Sequence, residues 1–438
     1  LIFNNFIIFM KKLTILLAIS LSTAQINYSG ELAAKYMNRI SDKSEINLPY
    51  RMISFNLGYT LGAIDINTVS GIEYRNKPAE SSYILREAYL AYYPQWGEMK
   101  IGKQIHAWGS VDGNNPTDNL NPYDYYYLFK VGEGRKIGVF SFSTKIYFGN
   151  SNLEAVIIPK YEKNRFPYGE KDFPLSSPVE PQIEYPVKNE FQFGFRLQTP
   201  MGESDLGLSI FKGNDRSPTM TAANVLFENE NNYQLNPLLG YRETTVWGLD
   251  FVTFFGDFTL RGEGAIFKSR TPILQLNLLK TSPSLYELQH DITYSQYVIQ
   301  VEYSTPSNIL LSGQLIGNSL QNEAYEWYHA SSSELVIFPP PKFQPGMGNP
   351  LAMFSELALL FSSTGVLMDD RLELKGNMML NLDKKGNMLS GSIGYSPLIN
   401  WKLETTITKF TGDKGDFDNT FTIMEDFSNL AFRMIYNF

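Results

Sequence analysis

Three histidines, no cysteine and a few clustered carboxylates bound the chemistry this chain could perform. His106 is followed by Ser110 and Asp112, the residue types of a base, a nucleophile and an orienting acid. A triad is defined by geometry in space, so this proximity in sequence reads first as a histidine beside turn-forming residues. His106, His290 and His329 include no pair at metal-ligand spacing. Asp369-Asp370 and the stretch from Asp413 to Asp418 lack the glycine and terminal glutamate of a calcium loop, which leaves solvated turns as the expectation. The absence of cysteine excludes disulfides, thiolate metal sites and thiol catalysis. No cofactor, no metal and no enzymatic activity are expected, with a hydrolase at a rim as the remotest alternative.

The charged residues that remain are sorted by parity. Gln192, Gly194, Arg196 and Gln198 alternate with Phe191, Phe193, Phe195 and Leu197. Arg261 and Glu263 alternate with Leu260, Gly262, Gly264 and Ile266, while Arg371, Glu373 and Lys375 oppose Leu372, Leu374 and Met378. A period of two places each set on one face of a β-strand. About eighteen segments show it, near 26–37, 50–60, 63–75, 83–93, 98–106, 136–148, 152–160, 189–199, 204–212, 242–255, 257–268, 292–303, 309–318, 351–363, 371–381, 387–396, 401–411 and 428–438. Their connections alternate. Pro94-Gln95-Trp96-Gly97, Gly149-Asn150-Ser151 and Pro200-Met201-Gly202-Glu203 are short, whereas 107–135, 161–188, 213–241, 269–291 and 319–350 are long and rich in Pro, Asn, Asp and Tyr. A soluble sandwich has no reason to sort loop length this way; an outer-membrane barrel does. The expected fold is therefore all-β, a transmembrane antiparallel β-barrel of 16–18 strands with no plug domain.

The remaining signals agree with export to that membrane. Met10, Lys11 and Lys12, the apolar run Leu13 to Leu21 and then Ser22-Thr23-Ala24 read as a secretory signal cut before Gln25, with Leu1 to Phe9 as an upstream extension. Residues 1–24 are thus assigned to extension and signal, and 25–438 to the barrel. The run Leu430, Phe432, Met434, Tyr436 and Phe438 resembles the terminal-strand signal that barrel-assembly machinery reads. Aromatic residues make up 14% and charged residues 19% of the chain, with a mean hydropathy of −0.20, as expected when an apolar outside facing outer-membrane lipid averages with a wet inside. A formal charge of −8 argues against a nucleic-acid partner.

Charges at mid-depth of a lipid-facing strand cost about 2–4 kcal/mol each, so the charged faces belong in the lumen. There Arg75, Lys100, Arg196, Arg261, Arg371, Lys375, Lys402 and Arg433 nearly balance Asp65, Glu73, Asp250, Glu263, Glu302, Glu373 and Glu404. Strong charge selectivity would need a local surplus at a constriction. Arg86 and Glu87 break the alternation, so one of them faces lipid, snorkels or sits at a bulge.

Leu85-Arg86-Glu87-Ala88-Tyr89-Leu90, Ile101-Gly102-Lys103-Gln104, Trp108-Gly109 and Asn121-Pro122-Tyr123-Asp124 together resemble an uncharacterised porin-like family of Gram-negative outer-membrane barrels, distantly similar to alginate-export and phosphate-type porins. The resemblance spans about residues 83–125 and implies a channel. The chain departs from phosphate porins in lacking a dense ladder of basic residues. Within the same block Gln104 and His106 share the parity of Lys100, and Trp108-Gly109 is expected to end a strand at a bilayer interface. The segment from Ala107 to Arg135 is expected to fold into the lumen, presenting Asp118, Tyr123 and Asp124 opposite Lys100, Gln104 and His106; an external Asx-turn loop is the alternative. These six residues, with Arg196, Arg261 and Glu263 on the wall, are the candidate contacts for a small or amphipathic solute crossing passively. A barrel serving as a platform for surface binding is a second reading, for which Tyr325, Trp327, Tyr328, His329 and Phe338 to Pro341 would form the gripping loop.

Overall fold

The computed structural model describes residues 25–438 except 131, 174–179, 230–231, 273–283, 330–337, 340–341 and 417. The proposed signal therefore lies outside the described residues, as do Pro340 and Pro341. Alternation of apolar and polar side chains produces long strands: β1 (Gln25–Arg39), β2 (Tyr50–Leu61), β3 (Ile64–Arg75), β4 (Glu80–Tyr92), β5 (Gly97–Gln104), β6 (Val139–Phe148) and β7 (Ser151–Ile158). After the short β8 (Ile183–Tyr185) come β9 (Gln192–Met201), β10 (Ser204–Asn214), β11 (Thr219–Asn229), β12 (Asn232–Gly240), β13 (Glu243–Phe255) and β14 (Phe258–Arg270). The series ends with β15 (Leu285–Ser304), β16 (Ile309–His329), β17 (Leu357–Leu367), β18 (Leu372–Asn381), β19 (Asn387–Leu398), β20 (Trp401–Thr411) and β21 (Asn429–Asn437).

Eighteen of these strands form a closed antiparallel barrel. Neighbours in sequence pair throughout, β7 passes to β9, β10 to β13, and β21 returns to β1 through nine residue pairs from Glu31↔Asn437 to Arg39↔Asn429. At one end the strands are joined by tight turns such as Gly149-Asn150 and Gly256-Asp257; at the other lie the long segments. The three extra strands belong to the long-loop end. β11 and β12 make a hairpin, β12 lies parallel to β8, and β11 leans on the outer part of β15. This hairpin occupies a stretch that composition alone presents as loop, because its strands extend the sheet beyond the barrel instead of crossing it. β15 and β16 likewise run to 20 and 21 residues, well past the expected limits at 292 and 318.

Outward faces are apolar, with Leu32, Ile101, Phe195, Ile266, Ile393, Leu403, Phe432 and Met434 all exposed. Lipid is the solvent that tolerates such a belt. The adjacent charges of β4 resolve at an irregularity: pairing with β3 slips between Val69↔Glu87 and Ser70↔Leu85, leaving Arg86 as the extra residue. Both charged side chains then reach inward, Arg86 donating to the Glu133 carbonyl at 2.6 Å and Glu87 accepting from the Ile105 amide at 2.8 Å.

Candidate functional site

The segment between β5 and β6, residues 105–138, lies inside the barrel and crosses it. Its path is decided by polar groups that find wall partners far away in sequence. On the β14–β16 wall, Glu263 accepts hydrogen bonds from the Ser110 amide, the Val111 amide (2.8 Å), the Asn115 side chain (2.8 Å) and the Thr117 hydroxyl (2.8 Å). Gln300 exchanges two bonds of 2.8 Å with Asp112, and Asn114 donates to Gln314 at 2.7 Å. Arg261 donates to the Ser110 carbonyl at 2.9 Å and pairs with Glu302 at 3.2 Å. Gly109 is required at the point of contact: its φ is +100°, and a Cβ there would stand 2.3 Å from the Glu263 carboxylate.

The segment then reaches the opposite wall. Tyr127 donates from its hydroxyl to Glu73 at 2.7 Å, under the Arg51 guanidinium, which lies 3.8 Å above its ring and donates to the Gly134 carbonyl at 2.7 Å. Between these moorings Tyr125 and Leu128 join Phe354, Phe410, Phe421 and Phe427 in an apolar cluster at the long-loop end. A segment held at both walls by polar bonds and in the middle by aromatic packing is a fixed element of the lumen.

Most of the nine expected solute contacts are part of this anchoring. Gln104 donates to the Ser141 carbonyl at 2.9 Å, and His106 Nε2 meets the Ser141 hydroxyl at 3.0 Å. Asp118 pairs with Lys136, whose ammonium also donates to the His106 carbonyl at 2.6 Å. Tyr123 is buried with its amide bonded to Asn164, and Asp124 pairs with Arg165 at 3.1 Å. Arg196 pairs with Asp250 at 2.8 Å. These six and Glu263 are each no more than 6% exposed, while Lys100 and Arg261 are half-buried. Burial pushes the Asp124 carboxyl up against the lowering pull of Arg165, and pushes the His106 imidazole down to about 3, helped by Lys136, Lys100 and Lys145. His106 is thus neutral, so its 4.0 Å approach to Glu154 is no ion pair.

His106, Ser110 and Asp112 are not brought together. The Ser110 hydroxyl donates to the Phe251 and Gly262 carbonyls, and Asp112 is engaged by Gln300. Trp108, expected at a bilayer interface, is instead 2% exposed inside the barrel, because Gly194 leaves room for its ring. Trp327 and Phe338 pack with Tyr286 and Leu288 in a satellite core under the β11–β12 hairpin, with the Trp327 indole donating to the Phe338 carbonyl at 3.2 Å.

What the residue types did not single out is the tip. Phe129 is 43% exposed and Lys130 is exposed, although both lie on a segment surrounded by the barrel, so they face the lumen. Enclosure, then the cations Arg51, Arg433 and Lys35, push the Lys130 ammonium down to about 8. Facing it, Arg433 bridges Glu31 (3.0 Å) and Glu404 (3.3 Å), opening a run of paired charges that continues through Lys402, Glu373 and Lys375. Lys35, Arg51 and Lys130 have no carboxylate partner among the described ion pairs. A lone lysine in a tract of tyrosines carries no period and no motif, so only the path of the segment could reveal it.

No family model and no curated protein matches this chain. Among solved structures it is similar to OccK2 (OpdF) of Pseudomonas aeruginosa, at 10% identity over 95% of this chain and 97% of that one, with a TM-score of 0.52. OccK11 (OpdR) of the same organism gives 11% identity over 94% and 95%, with a TM-score of 0.50. OccK2 in complex with glucuronate gives a TM-score of 0.50 at 10% identity, over 94% of this chain and 97% of that one. At such identities the likeness shows the fold alone, a closed antiparallel barrel.

Proposed function

We propose that this chain is an outer-membrane channel through which a small or amphipathic solute passes by diffusion, without cofactor or energy input. The observation that carries the reading is the segment 105–138, tied to two walls of a closed barrel and presenting the exposed Phe129 and Lys130 to the lumen. A surface-binding platform needs no such crossbar. On this reading the tight turns face the periplasm, the long segments face outward, the apolar belt meets outer-membrane lipid, and the β21 strand is what the assembly machinery engages.

The solute contacts belong to the tip and the wall it faces. Lys130, Lys35 and Arg51 give a local cationic surplus within a wall of mostly paired ions, which favours solutes bearing a carboxylate or another anionic group. The glucuronate in OccK2 supports that class of solute for a barrel of this architecture. Gln104, His106, Asp118, Tyr123, Asp124, Arg196 and Glu263 then act on the solute indirectly, by holding the crossbar. Planar-bilayer recordings of the purified barrel test the reading: discrete steps of current that small organic anions interrupt more than cations of equal size are expected. A barrel that inserts and passes no current would overturn it.

A further inference from the structure

The lumen wall formed by β1 to β4 differs from the rest. Elsewhere inward side chains pair as ions, as in Lys145–Glu154, Arg196–Asp250 and Arg261–Glu302. Near the tight-turn end of β1–β4 the wall instead encloses a recess of about 500 Å³ lined by Asn27, Asn56, Asp65, Asn67, Tyr89 and Tyr93. Three carboxamides from three neighbouring strands share this face because the registers set Asn27 opposite Gly58 and Gly58 opposite Asn67, with Asn67 opposite Tyr89. Gly58 keeps the floor low: a Cβ there would meet nothing closer than 3.8 Å.

The carboxamides are oriented but not used up. Asn67 donates to the Tyr89 hydroxyl at 3.3 Å, Asn56 donates to the Ser29 hydroxyl at 3.2 Å, and Asn27 accepts from Gln25 at 3.3 Å. Each amide carries two donors and two acceptor sites, so every one retains both kinds of group toward the lumen. Tyr89 is held further by the Lys100 ammonium, 5.6 Å from its ring.

We infer that this recess is a binding subsite for an uncharged polyhydroxylated solute or solute segment, a sugar or sugar alcohol. Hydroxyl groups both donate and accept, so they match carboxamides that do the same, with Asp65 adding an acceptor. The C–H faces of a polyol need apolar, flat partners, which Tyr89 and Tyr93 provide. An anion finds Asp65, neutral dipoles and a Lys100 ammonium already paired with Glu98 at 2.6 Å, so this chemistry is distinct from that of the cationic tip. The subsite deepens the channel reading and rests on it for its purpose, lying on the path between the crossbar and the periplasm.

Isothermal calorimetry of the full barrel in detergent with maltose separates the two, since binding is read whether or not current flows. Saturable binding of maltose is expected, with no heat from a short polyethylene glycol of equal mass. Asn67→Ala and Asn27→Ala are expected to weaken it roughly fivefold each, the loss of one hydrogen bond. Tyr93→Ala, which removes the ring, is expected to weaken it further. Lys130→Ala, at the tip, is expected to leave it unchanged. Variants are accepted only if their heat-modifiable migration matches the parent, which shows that the barrel has formed. Absence of maltose binding, or binding that Asn67→Ala and Tyr93→Ala leave intact, overturns the subsite. Absence of current with maltose binding retained overturns the channel instead.

Discussion

The two ends of the segment from Ile105 to Lys130 are made of similar residues and do opposite things. The stem, up to Tyr127, spends most of its polar groups on protein partners: Glu263 alone collects five donors, and Asp118, Asp124 and His106 are buried. The tip, two residues further on, keeps one side of the Phe129 ring, backed by Phe354 and Phe410, and the Lys130 ammonium, backed by the Tyr127 ring, exposed to water. Tyrosine, asparagine and aspartate at a motif look like recognition groups, yet a polar side chain buried in a satisfied network has nothing left for a solute. Availability separates the two ends, and availability is settled by partners that lie from 18 to 200 positions away.

The strongest way to break the contrast is to remove the stem. Deleting Asn114 to Tyr126 should raise single-channel conductance by roughly twofold or more and flatten solute preference, since the fixed obstruction is gone while the barrel ladder is untouched. Unchanged conductance in an assembled barrel would mean the crossbar lies off the solute path. Next in size is Glu263→Ala, which takes the acceptor from three backbone amides, an amide side chain and a hydroxyl. A loss of about 3 kcal/mol or more is expected, read from the denaturant midpoint of the refolded barrel and accompanied by noisy, flickering current. Glu263→Gln keeps an acceptor and should lose less.

The tip should respond in the other currency. Lys130→Glu is expected to leave the denaturant midpoint within about 0.5 kcal/mol and to move the anion-to-cation permeability ratio roughly threefold toward cations, measured as reversal potential in a salt gradient. An unmoved reversal potential would place the constriction elsewhere.

The smallest effect concerns pH. His106 titrates near 3 in the folded protein and near its ordinary value of 6.5 when unfolded. Between those values the unfolded chain binds the extra proton, so stability from this side chain is intact above about 6.5 and is lost progressively as pH falls toward 3. Midpoints for His106→Gln should therefore fall less between pH 7 and pH 4 than those of the parent. Equal slopes would mean that the ring titrates alike in the folded and the unfolded chain.

The barrel itself was legible because its rule is local. Each of the eighteen expected strands has one observed counterpart, since period two is imposed by lipid on one face and water on the other wherever a strand crosses. The rule fails where strands leave the membrane: Thr219–Asn229, Asn232–Gly240 and the outer part of β16 face no lipid and carry no such alternation. The inward path of the β5–β6 segment was also readable, from its length and composition. The partners of its residues were not, because Ser110 meets Glu263 across 153 positions and Asn114 meets Gln314 across 200. Trp108 shows the same limit: an indole suits a bilayer interface and a packed interior equally, and Gly194 decides between them.

The seam between β1 and β21 has a consequence for how the molecule comes into being. Its strands carry residues 402 positions apart, as in the bond from Arg433 to Glu31. Drawing together the ends of a loop of that length costs on the order of 5 kcal/mol in chain entropy, because the penalty grows only with the logarithm of length. Each backbone group left unpaired in hydrocarbon costs several kcal/mol, and the seam has nine residue pairs to satisfy. Closure therefore wins by a wide margin once both edges are in the bilayer, yet its long separation makes it a late event. Until then the half-made sheet carries two adhesive edges, each able to capture the wrong strand, and a chaperoned insertion that keeps them apart is the condition under which this sequence reaches its cylinder.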